Sequence, residues 1–164
     1  MRKARVPSTI FTSLALLAAP AAAAQTWPEG CFTRHYDAAH LAAHPDQIVE
    51  RVSLRLRRED FGMGFRLIAR LAPQGHTGLA RFGGMIMSEE GQCIDGQPCY
   101  VYCDGGGFTL TRASEDSIDI TTDHMRIARG DACDGTSEVS DLSEGPGQST
   151  TYRLYRSRNQ LCGG

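Results

Sequence analysis

The sequence predicts a mainly β protein, an antiparallel β-sandwich or small β-barrel of about seven or eight short strands with one short N-terminal helix, stabilised by disulfides. Three observations carry that expectation. Beyond residue 47 apolar side chains recur at every second position over several runs, the period of a half-buried strand. Clusters of Gly, Asp, Ser and Pro punctuate these runs, which suits hairpin turns better than alternating β-α units. Six cysteines, an even number, all lie after residue 30, as in a disulfide framework.

Residues 1–24 read as a secretory signal peptide. Arg2, Lys3 and Arg5 are a positive head, Ile10 to Ala19 an apolar stretch, and Ala22, Ala23 and Ala24 the small residues before a cut. The apolar stretch is shorter than the roughly 20 residues a membrane helix needs, so no stable membrane anchor is expected. Residues 25–164 are then a single domain, long enough to bury roughly two-thirds of its unfolded surface. The localisation implied is periplasmic or secreted, in a bacterial cell.

In the mature chain, Tyr36 to His44 is the one helical stretch, with Asp37 as N-cap and Pro45 as stop. Ile48, Glu50, Val52, Leu54 and Leu56 then alternate with Val49, Arg51, Ser53, Arg55 and Arg57, and Phe65, Leu67, Ala69 and Leu71 resume an apolar face after a turn over residues 58–64. These two runs form a hairpin. Further strands are expected at Leu79–Met87, Tyr100–Cys103, Phe108–Arg112, Ser117–Ala128 and Thr151–Arg156. Asp131 to Ser149, poor in large apolar residues, reads as a long surface loop.

Six cysteines allow 15 connectivities. Cys99 and Cys103 bracket Tyr-Val-Tyr and, in a strand, lie about 13 Å apart, too far to pair. The expected pairs are Cys93–Cys99 across a short turn, Cys103–Cys133, and Cys31–Cys162 joining the ends.

Three groups of residues offer chemistry. His35, His40 and His44 fall within ten residues, and His40 and His44 share a helix face at i and i+4, a zinc-binding spacing. Leu41 stands where a metalloprotease helix carries its glutamate, so a metal ion is a possible ligand without the usual catalytic base, and otherwise no cofactor is expected. The second group is basic. The mature chain has 14 Arg, no Lys and 19 acids, a net charge of −5, which argues against nucleic-acid binding. The arginines are segregated, however: Arg51, Arg55, Arg57, Arg66 and Arg70 all leave the apolar faces of the hairpin. A guanidinium-rich sheet face suits carboxylate or phosphate recognition, unless a strand bearing Asp119 and Asp123 lies beside it and neutralises it. The third group is the acidic set Asp104, Asp116, Asp119, Asp123, Asp131, Asp134, Glu138, Asp141 and Glu144, a source of calcium ligands that fits no EF-hand register.

Nucleophile elbows and dinucleotide fingerprints are missing from the sequence. The runs from Cys31 to Gln47 and from Cys99 to Gly106 resemble an uncharacterised family of small secreted bacterial proteins, a resemblance that implies no activity or site. The function expected from the residues is therefore an exported, non-enzymatic binding domain for an unknown envelope or extracellular ligand, either an anionic envelope component on the arginine face or a small ligand in a barrel mouth. Alternatives are an inhibitor of an envelope-directed enzyme that presents the Asp131–Ser149 loop, and a metal-dependent protein using the histidine helix.

Overall fold

The computed structural model describes residues 28–94, 98–112, 114–130, 133, 135 and 137–163; the segment read as a signal peptide lies outside them. Nine strands are formed: β1 (Gly30–His35), β2 (Val49–Glu59), β3 (Gly62–Leu71), β4 (Ile86–Cys93), β5 (Cys99–Val101), β6 (Gly106–Arg112), β7 (Ser117–Arg129), β8 (Glu138–Asp141) and β9 (Thr150–Ser157). Two short helices, α1 (Ala38–Ala43) and α2 (Gly75–Leu79), and a 3-10 turn over Asn159–Cys162 complete the described elements. The sheet order is β6-β5-β4-β3-β2-β1-β9-β7-β8, every pairing antiparallel, and β6 pairs with β7 as well. Eight strands thus close on themselves while β8 continues along the second half of β7. Closure is what resolves the choice between sandwich and barrel, and it removes the open edges a sheet of this length would otherwise present.

The hairpin follows the alternation of its sequence. Val52, Leu54, Leu56, Leu67, Ala69 and Leu71 are buried on the inner face, and the loop has shrunk to Asp60 and Phe61. One detail departs from strict period two. A bulge between Val49 and Arg51 turns both Ile48 and Val49 into the core, so Glu50 leaves the buried row and reaches Arg70 instead. Across the ring, Phe65 and Phe108 meet edge-on with centroids 4.9 Å apart. Tyr152, fully buried, donates its hydroxyl to the Leu142 carbonyl at 2.9 Å, which satisfies the one polar atom that ring brings inside. Burial pushes its phenol well above the usual range.

Several elements differ from the expectation. Residues 30–35, for which no element was expected, form a strand, β1, because β2 and β9 both offer it a ladder. The run from Leu79 is not a strand until Ile86; Leu79 closes α2 and is 88% exposed. That helix, rich in glycine, is held by tertiary bonds: the buried Thr77 hydroxyl donates to the Ala72 carbonyl at 2.8 Å, and the Gln74 amide donates to the carbonyls of Leu41 and His44. β5 ends at Val101, since Cys103 and Asp104 both adopt left-handed backbone, with φ of 58° and 57°. Residues 131–149 are not one loop: they contain β8, after which Leu142 is wholly buried and its amide donates to the Met125 carbonyl. Helix α1 matches its prediction, the Asp37 carboxylate accepting from the His40 amide at 2.8 Å.

All three expected disulfides are present: Cys31–Cys162, Cys93–Cys99 and Cys103–Cys133. Their surroundings differ. The first two are buried in the core, whereas Cys103 and Cys133 are both exposed, and Cys103 sits on left-handed backbone that costs on the order of 1–3 kcal/mol in a non-glycine residue. Thiolate attack needs access to sulfur. Cys103–Cys133 is therefore expected to open first under a titrated dithiol reductant, with Cys103 and Cys133 alkylated before the other four; mass spectrometry of labelled peptides checks this order. Among the described residues no helix is long and apolar enough to cross a bilayer, and three disulfides are compatible with an oxidising compartment.

Candidate functional site

The hairpin register decides what the arginine face can do. Arg55 stands directly opposite Arg66, and Arg51 opposite Arg70, on the outer side of β2 and β3. Between the two pairs lie Ser53 and Ile68. The C-terminal tail crosses this row, and a methyl added at Gly163 would meet the Ile68 side chain at 3.4 Å. The five arginines that the sequence placed on one face are thus on that face, yet divided into two groups about 13 Å apart along the strand.

The group of Arg55, Arg57 and Arg66 lines a cavity of about 190 Å³. Register explains its walls. Glu90 on β4 is opposite Arg66, and Tyr102, just past the end of β5, follows on the same side. Gly64 is opposite Arg57, and its missing side chain leaves the space into which the Glu59 carboxylate folds; a methyl at Gly64 would overlap that carboxylate. Gly163 forms the remaining wall, held there by the Cys31–Cys162 bridge.

The charges in this cavity are unequally matched. The Arg57 guanidinium donates to Glu59 at 2.7 Å, and this bond holds the Glu59 carboxyl below its ordinary range. Arg66 lies 3.6 Å from Glu90. Arg55, half-buried, has no carboxylate within ion-pair distance among the described residues. The aspartates expected to neutralise this face do not reach it. β7 runs between β6 and β9, so Asp119 faces Arg153, which holds it with two bonds of 2.8 Å and depresses its pKa. The neutralising acids are Glu59, Glu90 and, for the other arginine pair, Glu50, residues whose role depends on register and on the bulge.

Tyr102 is positioned from behind. Arg126 on β7 donates to the carbonyls of Tyr102 and Cys103, at 3.1 and 2.9 Å. The same turn is tied to the β7–β8 connection by Cys103–Cys133.

The histidines divide differently from the expectation. His40 and His44 do share a face of α1, but their rings stack with centroids 4.2 Å apart and the His44 Nδ1 engages the His40 carbonyl at 2.9 Å. His35 ends β1 opposite Arg51. Among the described residues no group of three His, Cys, Asp or Glu side chains is placed to hold a metal ion. Four of the described acids are separately engaged: Asp116 with Arg156, Asp119 with Arg153, Glu138 with Arg129 and Asp141 with His124. Asp131 and Asp134 lie outside the described residues.

A second cluster, not foreseen as a unit, surrounds Asp141. His124 Nδ1 lies 2.5 Å from its Oδ2, the amides of Ser143 and Met125 donate to its Oδ1, and His76 Nε2 is 3.2 Å from its carbonyl. The three side chains come from β7, β8 and α2, elements distant in sequence, so no spacing in the chain announces them. Both histidines line a surface cavity with Asp141 and the Gly145-Pro146-Gly147 turn. Burial raises the Asp141 pKa, but the bonds from Ser143, His124 and Met125 outweigh it and hold the carboxyl below its ordinary value. A carboxylate depressed on folding stabilises the protein above its unfolded pKa, and that contribution disappears as pH falls through the lower folded value. Wild type is therefore expected to lose stability below about pH 4 relative to Asp141→Asn, whose curve flattens there; urea unfolding at pH 7 and pH 3 measures the difference.

Compared with protein-family models, curated proteins and solved structures, the chain matches none of them.

Proposed function

We propose that the protein is an exported binding domain whose ligand presents an anionic group to Arg55, Arg57 and Arg66. The observation that carries this reading is that, among the described residues, the Arg55 guanidinium has no carboxylate partner inside a walled cavity, beside two arginines already oriented by carboxylates. Arginine is suited to such a task because its charge persists and its donors match planar oxyanions. A preoriented set also loses less side-chain freedom on binding than free surface arginines would.

Calorimetric titration of the disulfide-intact protein with small carboxylates and inorganic phosphate tests the reading. Arg55→Ala is expected to weaken binding of whichever anion binds by about tenfold, since a hydrogen bond to a charged group contributes about 1.5–3 kcal/mol. Arg51→Ala, in the other arginine group, should leave it unchanged. Equal affinity of wild type and Arg55→Ala would overturn the proposal.

A second reading rests on the Asp141 cluster. A carboxylate that fixes His124 through Nδ1 leaves Nε2 to take a proton or bind a transition metal. Zinc titration of wild type and His124→Ala separates it from the first; identical isotherms remove it.

A further inference from the structure

We propose that the ligand of the arginine cavity is a single acidic sugar residue, a polyhydroxylated ring bearing one carboxylate. This deepens the anion-binding reading and rests on it. Four features of the cavity converge on that chemistry.

Charge comes first. Among the described residues, three guanidinium groups and two carboxylates line the cavity and leave one net positive charge. One charge matches a carboxylate. A phosphate dianion would enter against Glu59 and Glu90 with one guanidinium in excess, a poor balance for a group that brings two charges.

The two glutamates supply the second feature. They orient Arg57 and Arg66, but a carboxylate has about four lone-pair sites and accepts several donors. Acetate, made only of acceptors, has nothing to give them, and the phosphate dianion carries a single O–H. A polyhydroxylated ring carries several. A site in which cationic donors alternate with anionic acceptors around one cavity fits a molecule that carries both an oxyanion and several O–H donors.

Size is the third. About 190 Å³ falls below the 300–1,000 Å³ of cavities that enclose drug-sized ligands, so the site admits one small unit, either free or as one residue of a chain that continues outside. Finally, Tyr102 offers an aromatic wall on a half-exposed side chain whose backbone is fixed by Arg126 and by Cys103–Cys133. Tyrosine combines an apolar ring face with a polar tip, which suits the mixed C–H and O–H surface of a pyranose.

Titration with D-glucuronate, D-glucose, acetate and inorganic phosphate, followed by amide chemical shifts in NMR, tests this directly. Glucuronate is expected to bind at least about tenfold more tightly than the other three, with shifts centred on Arg55, Arg66, Glu90 and Tyr102. Tyr102→Ala should weaken glucuronate and leave acetate unaffected. Glu90→Gln gives opposite signs: it removes an acceptor for hydroxyls and raises the net charge, so glucuronate weakens about fivefold while phosphate strengthens. All these positions are on the outer face, and unchanged amide dispersion in each variant confirms that the fold persists. If phosphate or acetate binds as tightly as glucuronate and Arg55→Ala abolishes it, the sugar inference falls while the anion reading stands. If none of the four probes produces saturable shifts at Arg55, both fall.

Discussion

Serine at both Cys31 and Cys162 is expected to lower the unfolding free energy by about 5 kcal/mol. The bridge spans 131 residues, and in the chain-entropy model the denatured-state freedom it removes grows with the logarithm of that span. The same relation assigns about 3.6 kcal/mol to Cys103–Cys133, with 30 residues, and about 2.2 kcal/mol to Cys93–Cys99, with six. Against a typical domain stability of about 5–15 kcal/mol, the terminal bridge is decisive. Both of its sulfurs are buried beneath the 3-10 turn, beside β1 and β2. Its loss also releases the tail that carries Gly163, one wall of the arginine cavity. Urea unfolding of the double variant checks the first effect, and titration with the anion that binds wild type checks the second. A fall in stability no larger than that of the Cys93/Cys99 double variant would show that the tail stays docked without its bridge.

Gly91→Ala is expected to destabilise by about 3 kcal/mol, the upper end of the usual cost of overpacking. Gly91 lies opposite Phe65 on one side and Val101 on the other, on the inner face. A methyl there would overlap the Tyr100 carbonyl oxygen and come within 2.7 Å of two carbons of the Phe65 ring. Phe65 cannot retreat without disturbing its edge-on contact with Phe108, and the carbonyl cannot move without opening the β4–β5 ladder. Relief would also shift Glu90, the neighbouring residue on β4, away from Arg66. Gly145→Ala is the control: its added methyl meets the end of the Gln148 side chain, which can rotate aside, so a change within about 0.5 kcal/mol is expected. Denaturant midpoints at constant slope distinguish the two.

Much of the fold was legible because its signals are local. Alternation through β2 and β3 identified the hairpin, since period two survives wherever one face of a strand is buried. Asp37 and Pro45 bounded α1, because a cap needs only residues three positions apart. Where the reading failed, the cause was tertiary. β1 and β8 are short and exist because neighbours offer them ladders. α2 has poor helix formers and is held by Thr77 and Gln74. The bulge at Val49 is invisible to a pattern that assumes constant period, yet it determines that Glu50 reaches Arg70.

The candidate site divides along the same line. The sequence by itself determined that five arginines leave the apolar faces of one hairpin and that the six cysteines are available for pairing. Residue type and a period of two settle those matters without reference to the rest of the chain. Only the tertiary structure decided that Arg55, Arg57 and Arg66 form one cavity and Arg51 and Arg70 another place. It brought Glu59, Glu90, Tyr102 and Gly163 around the first group, and it assembled His76, His124 and Asp141 from three separate elements. The physical reason is range. Facing depends on backbone geometry over two residues, whereas a cavity depends on strand register and on how a ring of strands closes, which no local pattern contains.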